Sequence, residues 1–319
     1  MKKIFALALV LCMIFALTAS AYADFAPTGP VTMIIAYKAG NGTDITARIL
    51  AQYAEKYVGQ TIVIENVDGG KGAIGWSQLA KANPDGMTIG FINLPNMFSA
   101  ITPEVGFDAS SFAPICNHVT ETSVVIVRAD DERFPDLNAL VAYGRENQGT
   151  KNELIASTNG AQASNHIGAQ AFANSAEFTY IDVPKGNTNE ETTSLLGKEA
   201  DFCVVKVADL TSLGDSVRVI GVFAEERIPE FPDVPTLGEL GYYDQWLGSS
   251  RCVVAPAGVS EDVIKFYEEA FKATMEDPDY LAAAASFATD YKDAEGTAKL
   301  IEQQKEFTES LNEGFWYDY

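Results

Sequence analysis

The sequence predicts an α/β fold built as two lobes that face a common cleft. Three observations point there. Apolar, β-rich runs alternate with helix-like segments along nearly the whole chain. The chain of 319 residues is long enough for two ordinary domains with their own cores. Two of the strand-to-helix turns, one in each half, are glycine-rich or polar and end at a helix N-terminus, where unpaired N–H groups and the positive dipole end favour an anion.

The first such unit is Val31 to Leu50. Val31 to Tyr37 reads as a strand buried on both faces, and Ala39-Gly40-Asn41-Gly42 turns the chain where Gly and Asn tolerate positive φ. Thr43 or Asp44 can cap the following helix, whose Ile45, Ile49 and Leu50 share a face. Lys38 adds a positive charge beside the turn. A second unit follows: strand Thr61 to Val67, glycine turn Asp68 to Gly75, and helix Ile74 to Ala82, stopped by Asn83-Pro84-Asp85-Gly86. A third strand, Met87 to Ile92, ends at Asn93-Leu94-Pro95-Asn96.

From Ser123 a new alternation begins. Ser123 to Ala129 is a strand and Leu137 to Glu146 a helix; Leu154 to Ser157 is a short strand running into the polar turn Ser157 to Ser164. A helix over about Asn165 to Asn174, strand Phe178 to Val183, helix Thr188 to Leu196, and strands Asp201 to Val207 and Val217 to Phe223 complete this half. After the proline-rich Arg227 to Leu237, the strand Trp246 to Ala255 is placed to return to the first half, and helices at Ser260 to Met275 and about Ala294 to Gly314 finish the chain. The expected division is a leader over 1–23, one lobe from 24–122 and 248–319, and a second lobe over 123–247.

The leader is read from Met1-Lys2-Lys3, an apolar run from Ile4 to Leu17 too short to span a bilayer, and the small-x-small site Ala21-Tyr22-Ala23. Leu11 before Cys12 does not fit a lipoprotein signal. An exported, periplasmic protein follows as the expectation. The formal net charge of −22 falls to about −24 without the two leader lysines. Such a chain repels nucleic acid and anionic membranes, so an anion site has to be local, built from helix N-termini and a few cations. Cys116, Cys203 and Cys252 are an odd set in apolar surroundings, which favours buried free thiols over full pairing. His118 reads as a structural residue, since two distant histidines and scattered cysteines make no metal cluster.

Gly70, Gly72 and Gly75 satisfy G-x-G-x-x-G, but the unit is not the first strand and no acidic residue ends the next one, so a dinucleotide site is rejected. No P-loop and no G-x-S-x-G nucleophile elbow occurs. No cofactor and no catalysis are expected; an exported hydrolase stands as the remote alternative.

In order along the chain, several motifs resemble one family. Ala36-Tyr37-Lys38-Ala39-Gly40-Asn41-Gly42-Thr43-Asp44 with Ala47-Arg48 is similar to its P-x-x-P-A-G-G-G-x-D and A-R. Glu65-Asn66 through Gly75 matches its second glycine turn, Pro84 to Thr88 its P-D-G-Y-T, and Phe112 to Ile115 its F-A-P-I. Ser157, Gly160, Ser164, His166 and Ile167 resemble its S-x-G-x-G-S-x-x-H-L, Val183 to Gly186 its V-P-Y-K-G, and Leu195 to Asp201 its L-L-x-G-x-x-D. Asp233 to Gly241 and Ala255 to Gly258 match its D-V-P-T-x-x-E-x-G and A-P-A-G, with Trp246 for its W-x-G. The chain thus resembles the substrate-binding receptors of tripartite tricarboxylate transporters, also called Bug-type receptors.

The resemblance implies a bilobed type II periplasmic-binding-protein fold with two Rossmann-like lobes. It implies a monomeric receptor that closes on a small carboxylate-bearing ligand and delivers it to membrane transporter subunits. A receptor for another ligand class, or a sensor component, is the alternative. Carried over by position, one jaw is Tyr37, Lys38, Asn41, Gly42, Thr43 and Asp44. The other runs from Asn159 to His166, through Gly160, Ala161, Gln162, Ser164 and Asn165, with Lys185 and Gly186 on a cleft-side loop. Lys38 stands where the family has proline and Asn41 where it has glycine; Lys38 either meets a ligand carboxylate or points to solvent. Asn93 to Ala100 implies a more apolar wall or a different ligand. Arg251 either grips a carboxylate through two parallel bonds or lies on the surface near the hinge. His166 is either a cleft or a packing residue, and Asp44 either contacts a ligand amine or fixes the loop.

Overall fold

The computed structural model describes residues 25–102 and 104–310. The expected leader, and the aromatic cluster Phe315-Trp316-Tyr317 read as packing, lie outside the described residues.

The first half is a sheet covered on both faces. Strand β1 (Val31–Ile35) pairs in parallel with β2 (Ile62–Asn66) and β3 (Thr88–Leu94). Alternate side chains of β1 go to opposite layers, as the pleat requires. Val31, Met33 and Ile35 pack against α1 (Gly42–Val58) and α7 (Glu261–Met275), with Leu50, Tyr267 and Phe271 fully buried there. Ile34 and Ala36 face the other layer, with α2 (Ala73–Ala80), α3 (Asn96–Ser99) and α9 (Ala294–Ser310), around Trp76, Leu79, Met97 and Leu300. Burial on both faces explains why these strands read as continuous apolar runs rather than alternating ones.

The second half repeats the arrangement. Strand β5 (Leu154–Thr158) is parallel to β6 (Tyr180–Pro184) and β7 (Phe202–Lys206). Helices α4 (Leu137–Asn147) and α5 (Ser164–Ser175) cover one face through Leu140, Ile167 and Phe172; α6 (Thr188–Leu196) covers the other through Leu195.

One long strand, β4 (Phe112–Arg128), runs through both halves, and β9 (Gly248–Pro256) returns beside it. In β4, residues 112–122 pair antiparallel with β9, while residues 123–128 pair with β7 and β8 (Val217–Val222). Strand β9 also pairs antiparallel with β3 and so closes the first sheet. Helix α9 straddles the halves: Leu300 and Ile301 pack in the first, Phe307 in the second.

The start of β4 corrects the expected strand Ser123 to Ala129. Polar Asn117, His118, Thr120 and Glu121 interrupt the apolar pattern, yet each side chain finds a hydrogen-bond or ion-pair partner, while the buried His118 Nδ1 has none. Asn117 Nδ2 donates to the Asp290 carbonyl at 2.6 Å, His118 Nε2 and the Tyr280 hydroxyl share a hydrogen bond at 2.6 Å, and Glu121 pairs with Arg251. Burial pushes the His118 pKa down to about 3, so its ring is neutral. The short helices α3 and α8 (Pro278–Ala283) and the edge strand β10 (Thr289–Lys292) were not expected from the sequence. Cys116, Cys203 and Cys252 are buried and free.

Candidate functional site

A cleft of about 830 Å³ lies between the halves, and its first wall is the N-terminus of α1. The turn before it is fixed by Asp44. Its carboxylate is 2 % exposed and accepts from the Gly40 N–H at 2.8 Å, Arg48 Nε at 3.0 Å and Asn66 Nδ2 at 2.9 Å. Burial alone would raise its pKa; the bonds from Arg48, Gly40 and Asn66 outweigh that and hold it below the ordinary value. Asn41, rather than Thr43 or Asp44, caps the helix, its side chain accepting from the Asp44 N–H at 2.9 Å. The first-turn N–H groups of Gly42 and Thr43 have no acceptor within the helix, and both residues line the cleft. Asn93 on β3 steadies Thr43 by donating to its hydroxyl at 2.8 Å. Tyr37 lines the cleft beside them, its hydroxyl 3.4 Å from Asn96 Nδ2, and burial raises its pKa to about 12.

The opposite wall supplies two more helix N-termini. The turn after β5 brings Asn159, Ser164 and Asn165 to the cleft at the start of α5. Gly186 to Asn189 do so at the start of α6, which Asn187 caps by accepting from the Glu190 N–H at 3.0 Å. Three positive dipole ends, from both halves, therefore meet at one cavity.

Between the walls, strands β4, β9 and β7 make the floor. Arg251 Nη2 lies 2.7 Å from Glu121 Oε2, both side chains largely buried. Lys206, at the end of β7, is 5 % exposed, and its ammonium donates to Asn165 Oδ1 at 2.7 Å. Asn165 Nδ2 in turn donates to Glu191 Oε2 at 2.7 Å. Asp209 Oδ2 accepts the Lys206 backbone N–H at 2.9 Å. Burial pushes the carboxyl pKa values of Glu191 and Asp209 up and that of the Lys206 ammonium down.

Of the residues expected from the sequence, Tyr37, Asn41, Gly42, Thr43, Asn93, Asn159, Ser164, Asn165, Gly186 and Arg251 line this cavity. Others stand off it. The Lys38 side chain is 82 % exposed and lies 3.7 Å from Asp68, because the turn leads it outward. Asp44 faces its own loop. His166 is fully buried behind the second turn, Nδ1 accepting the Gln162 N–H at 2.9 Å, and burial holds its pKa at about 4. Gln162 Oε1 accepts instead from Lys71 Nζ at 2.8 Å, a contact that joins the two halves. Gly160 and Ala161 form the turn without lining the cavity, and Lys185 turns to Glu199 at 3.2 Å. Of the two alternatives for Asn93 to Ala100, the more apolar wall is not what forms: Met97 and Phe98 turn into the core, leaving Asn93 and Asn96 with Leu94 toward the cleft.

Sequence reasoning missed Glu121, Asn187, Lys206, Asp209 and Ser249 as site residues. Two signals were present: a single cation inside the apolar run DFCVVKV, and the N-x-x-E cap at Asn187 and Glu190.

A model of the tripartite tricarboxylate transporter family receptor matches residues 46–313. The chain belongs to that family. A Cupriavidus necator relative, the UPF0065 protein in the gbd 5′ region, is 27 % identical over 311 residues, covering 93 % of this chain and 91 % of its own. A TctC solute-binding protein from Polaromonas superposes with a TM-score of 0.75 at 22 % identity, covering 89 % of this chain and 99 % of its own. MatC from Rhodopseudomonas palustris with bound malate gives 0.73 at 20 % identity, covering 89 % and 99 %. These likenesses establish the bilobed binding-protein fold; the family is one of solute-binding receptors.

Proposed function

We propose that this receptor captures a small carboxylate-bearing solute in the cleft by lobe closure and delivers it to a tripartite membrane transporter from the periplasm. The observation that carries the reading is the meeting of three helix N-termini from both halves at a cavity of about 830 Å³. A ligand that touches all three does so only when the halves are close, so binding favours the closed arrangement. The overall charge of −22 opposes anions at long range, which leaves recognition to these local groups. The MatC likeness, with malate bound in that protein, supports a dicarboxylate as the first probe. No described helix is long and apolar enough to cross a membrane.

The test is a thermal-shift screen of mono-, di- and tricarboxylates, aromatic acids and amino acids. A true ligand at about one hundred times its Kd adds roughly 2.7 kcal/mol to stability. A screen in which no carboxylate stabilises the protein overturns the reading.

Lys38 stands outside this site in the proposal. Lys38→Ala is expected to change the Kd of the best ligand by less than about twofold, as measured by calorimetry, because exposed charges away from the ligand contribute little.

A further inference from the structure

We propose that Lys206 is the residue that pairs with the ligand carboxylate, and that Arg251 is not. This rests on the receptor reading above. The cleft floor holds two cations, and their surroundings differ. Arg251 is matched: Glu121 Oε2 sits 2.7 Å from its Nη2. That pair is close to neutral as a unit and offers little net attraction to an anion. Lys206 is not matched. Its ammonium has three donors and makes one hydrogen bond among the described residues, to the amide oxygen of Asn165. No carboxylate of the described residues lies within ion-pair distance of it.

Asp209, Glu121 and Glu191 all attract the ammonium from beyond ion-pair distance, and the hydrogen bonds that each makes among the described residues go elsewhere than to Nζ. Glu121 is bound to Arg251. Asp209 uses Oδ2 to accept the Lys206 backbone N–H. Glu191 is separated from Lys206 by Asn165, whose amide it orients: Nδ2 donates to Glu191, so Oδ1 faces the ammonium. The chain Glu191–Asn165–Lys206 thereby fixes the ammonium at the cavity lining with two N–H donors unclaimed by any described side chain. A buried ammonium with one neutral partner is costly, and an anion entering the cavity relieves that cost. The lowered Lys206 pKa is the sign expected of such a group. The position is also right: Lys206 ends a strand, where ligands of open α/β sheets bind.

The experiment uses the full chain and the carboxylate that most stabilises the wild type in the screen. Lys206→Met is expected to weaken binding more than about tenfold, the loss of a charged hydrogen bond. It is also expected to raise the melting temperature of the ligand-free protein, because the unmatched charge is gone. Lys206→Arg, which keeps the charge, is expected to recover part of the affinity. If the methionine variant does not fold, Lys206→Gln, which can still donate to Asn165, replaces it with the same expected loss. Unchanged affinity in a folded Met or Gln variant overturns the assignment and leaves the receptor reading standing. A screen in which no carboxylate stabilises the wild type overturns both.

Discussion

Replacing Gly248 with alanine is expected to lower stability by about 3 kcal/mol, the upper end of what overpacking usually costs, and to weaken ligand binding as well. Gly248 pairs with Thr122 where β9 and β4 run together between the halves. A Cβ there would stand 2.2 Å from the Glu121 carbonyl oxygen and 2.5 Å from Trp246 Cζ2. The indole can shift, but a backbone oxygen in a central strand cannot rotate away. The two strands have to part, and Glu121, which holds Arg251 on the cleft floor, moves with its backbone. Urea denaturation gives the stability term and calorimetry the affinity. Wild-type values for both would mean that the junction tolerates separation, contrary to its tight pairing.

Removing the Asp44 carboxylate is expected to cost about 3 kcal/mol in Asp44→Ala, at the low end for breaking a buried pair because Arg48 is half exposed. The Gly40 N–H and Asn66 Nδ2 lose their acceptor together, and the turn that presents Gly42 and Thr43 loosens. The pH dependence follows from the sign of the shift. The folded pKa lies below the unfolded value of 3.8, so the native state binds this proton less readily than the unfolded chain. Its contribution is therefore full above the unfolded pKa and is lost as pH falls through the lower, folded one. The stability gap between wild type and Asp44→Asn is expected to be constant above about pH 5 and to shrink progressively below pH 4. Chemical denaturation at a series of pH values measures it. A gap that widens on acidification contradicts the assignment.

Sequence reasoning reached the first jaw because one continuous stretch writes it. Strand β1, the Gly40 turn and the α1 N-terminus are neighbours in the chain, and local chemistry dictates each. It also reached the family, whose motifs are spread in order. The floor was harder to see. Glu121 and Arg251 come from β4 and β9, and Lys206 with its chain neighbour Asp209 from the end of β7, and nothing local brings these three places together. Polar residues in the first part of β4 disguised it as a connection, because their partners Tyr280, Asp290 and Arg251 lie far along the chain. Lys38 stayed open between cleft and solvent for the opposite reason, and it takes the solvent side. Sequence adjacency placed it beside the jaw, but a turn can send one neighbour into a cleft and the next into solvent.

The position of β9 has a kinetic corollary. It enters the first sheet between β3 and β4, more than a hundred residues after either, and α7 then seals that sheet's outer layer against α1. Strands β5 to β8 and their helices lie within one uninterrupted stretch. A chain delivered from its N-terminus can therefore assemble its middle portion early, while its opening strands wait, unclosed, for the tail. Closing so long a loop is slow, and a chain cut short at Leu247 would leave those opening strands with a bare edge.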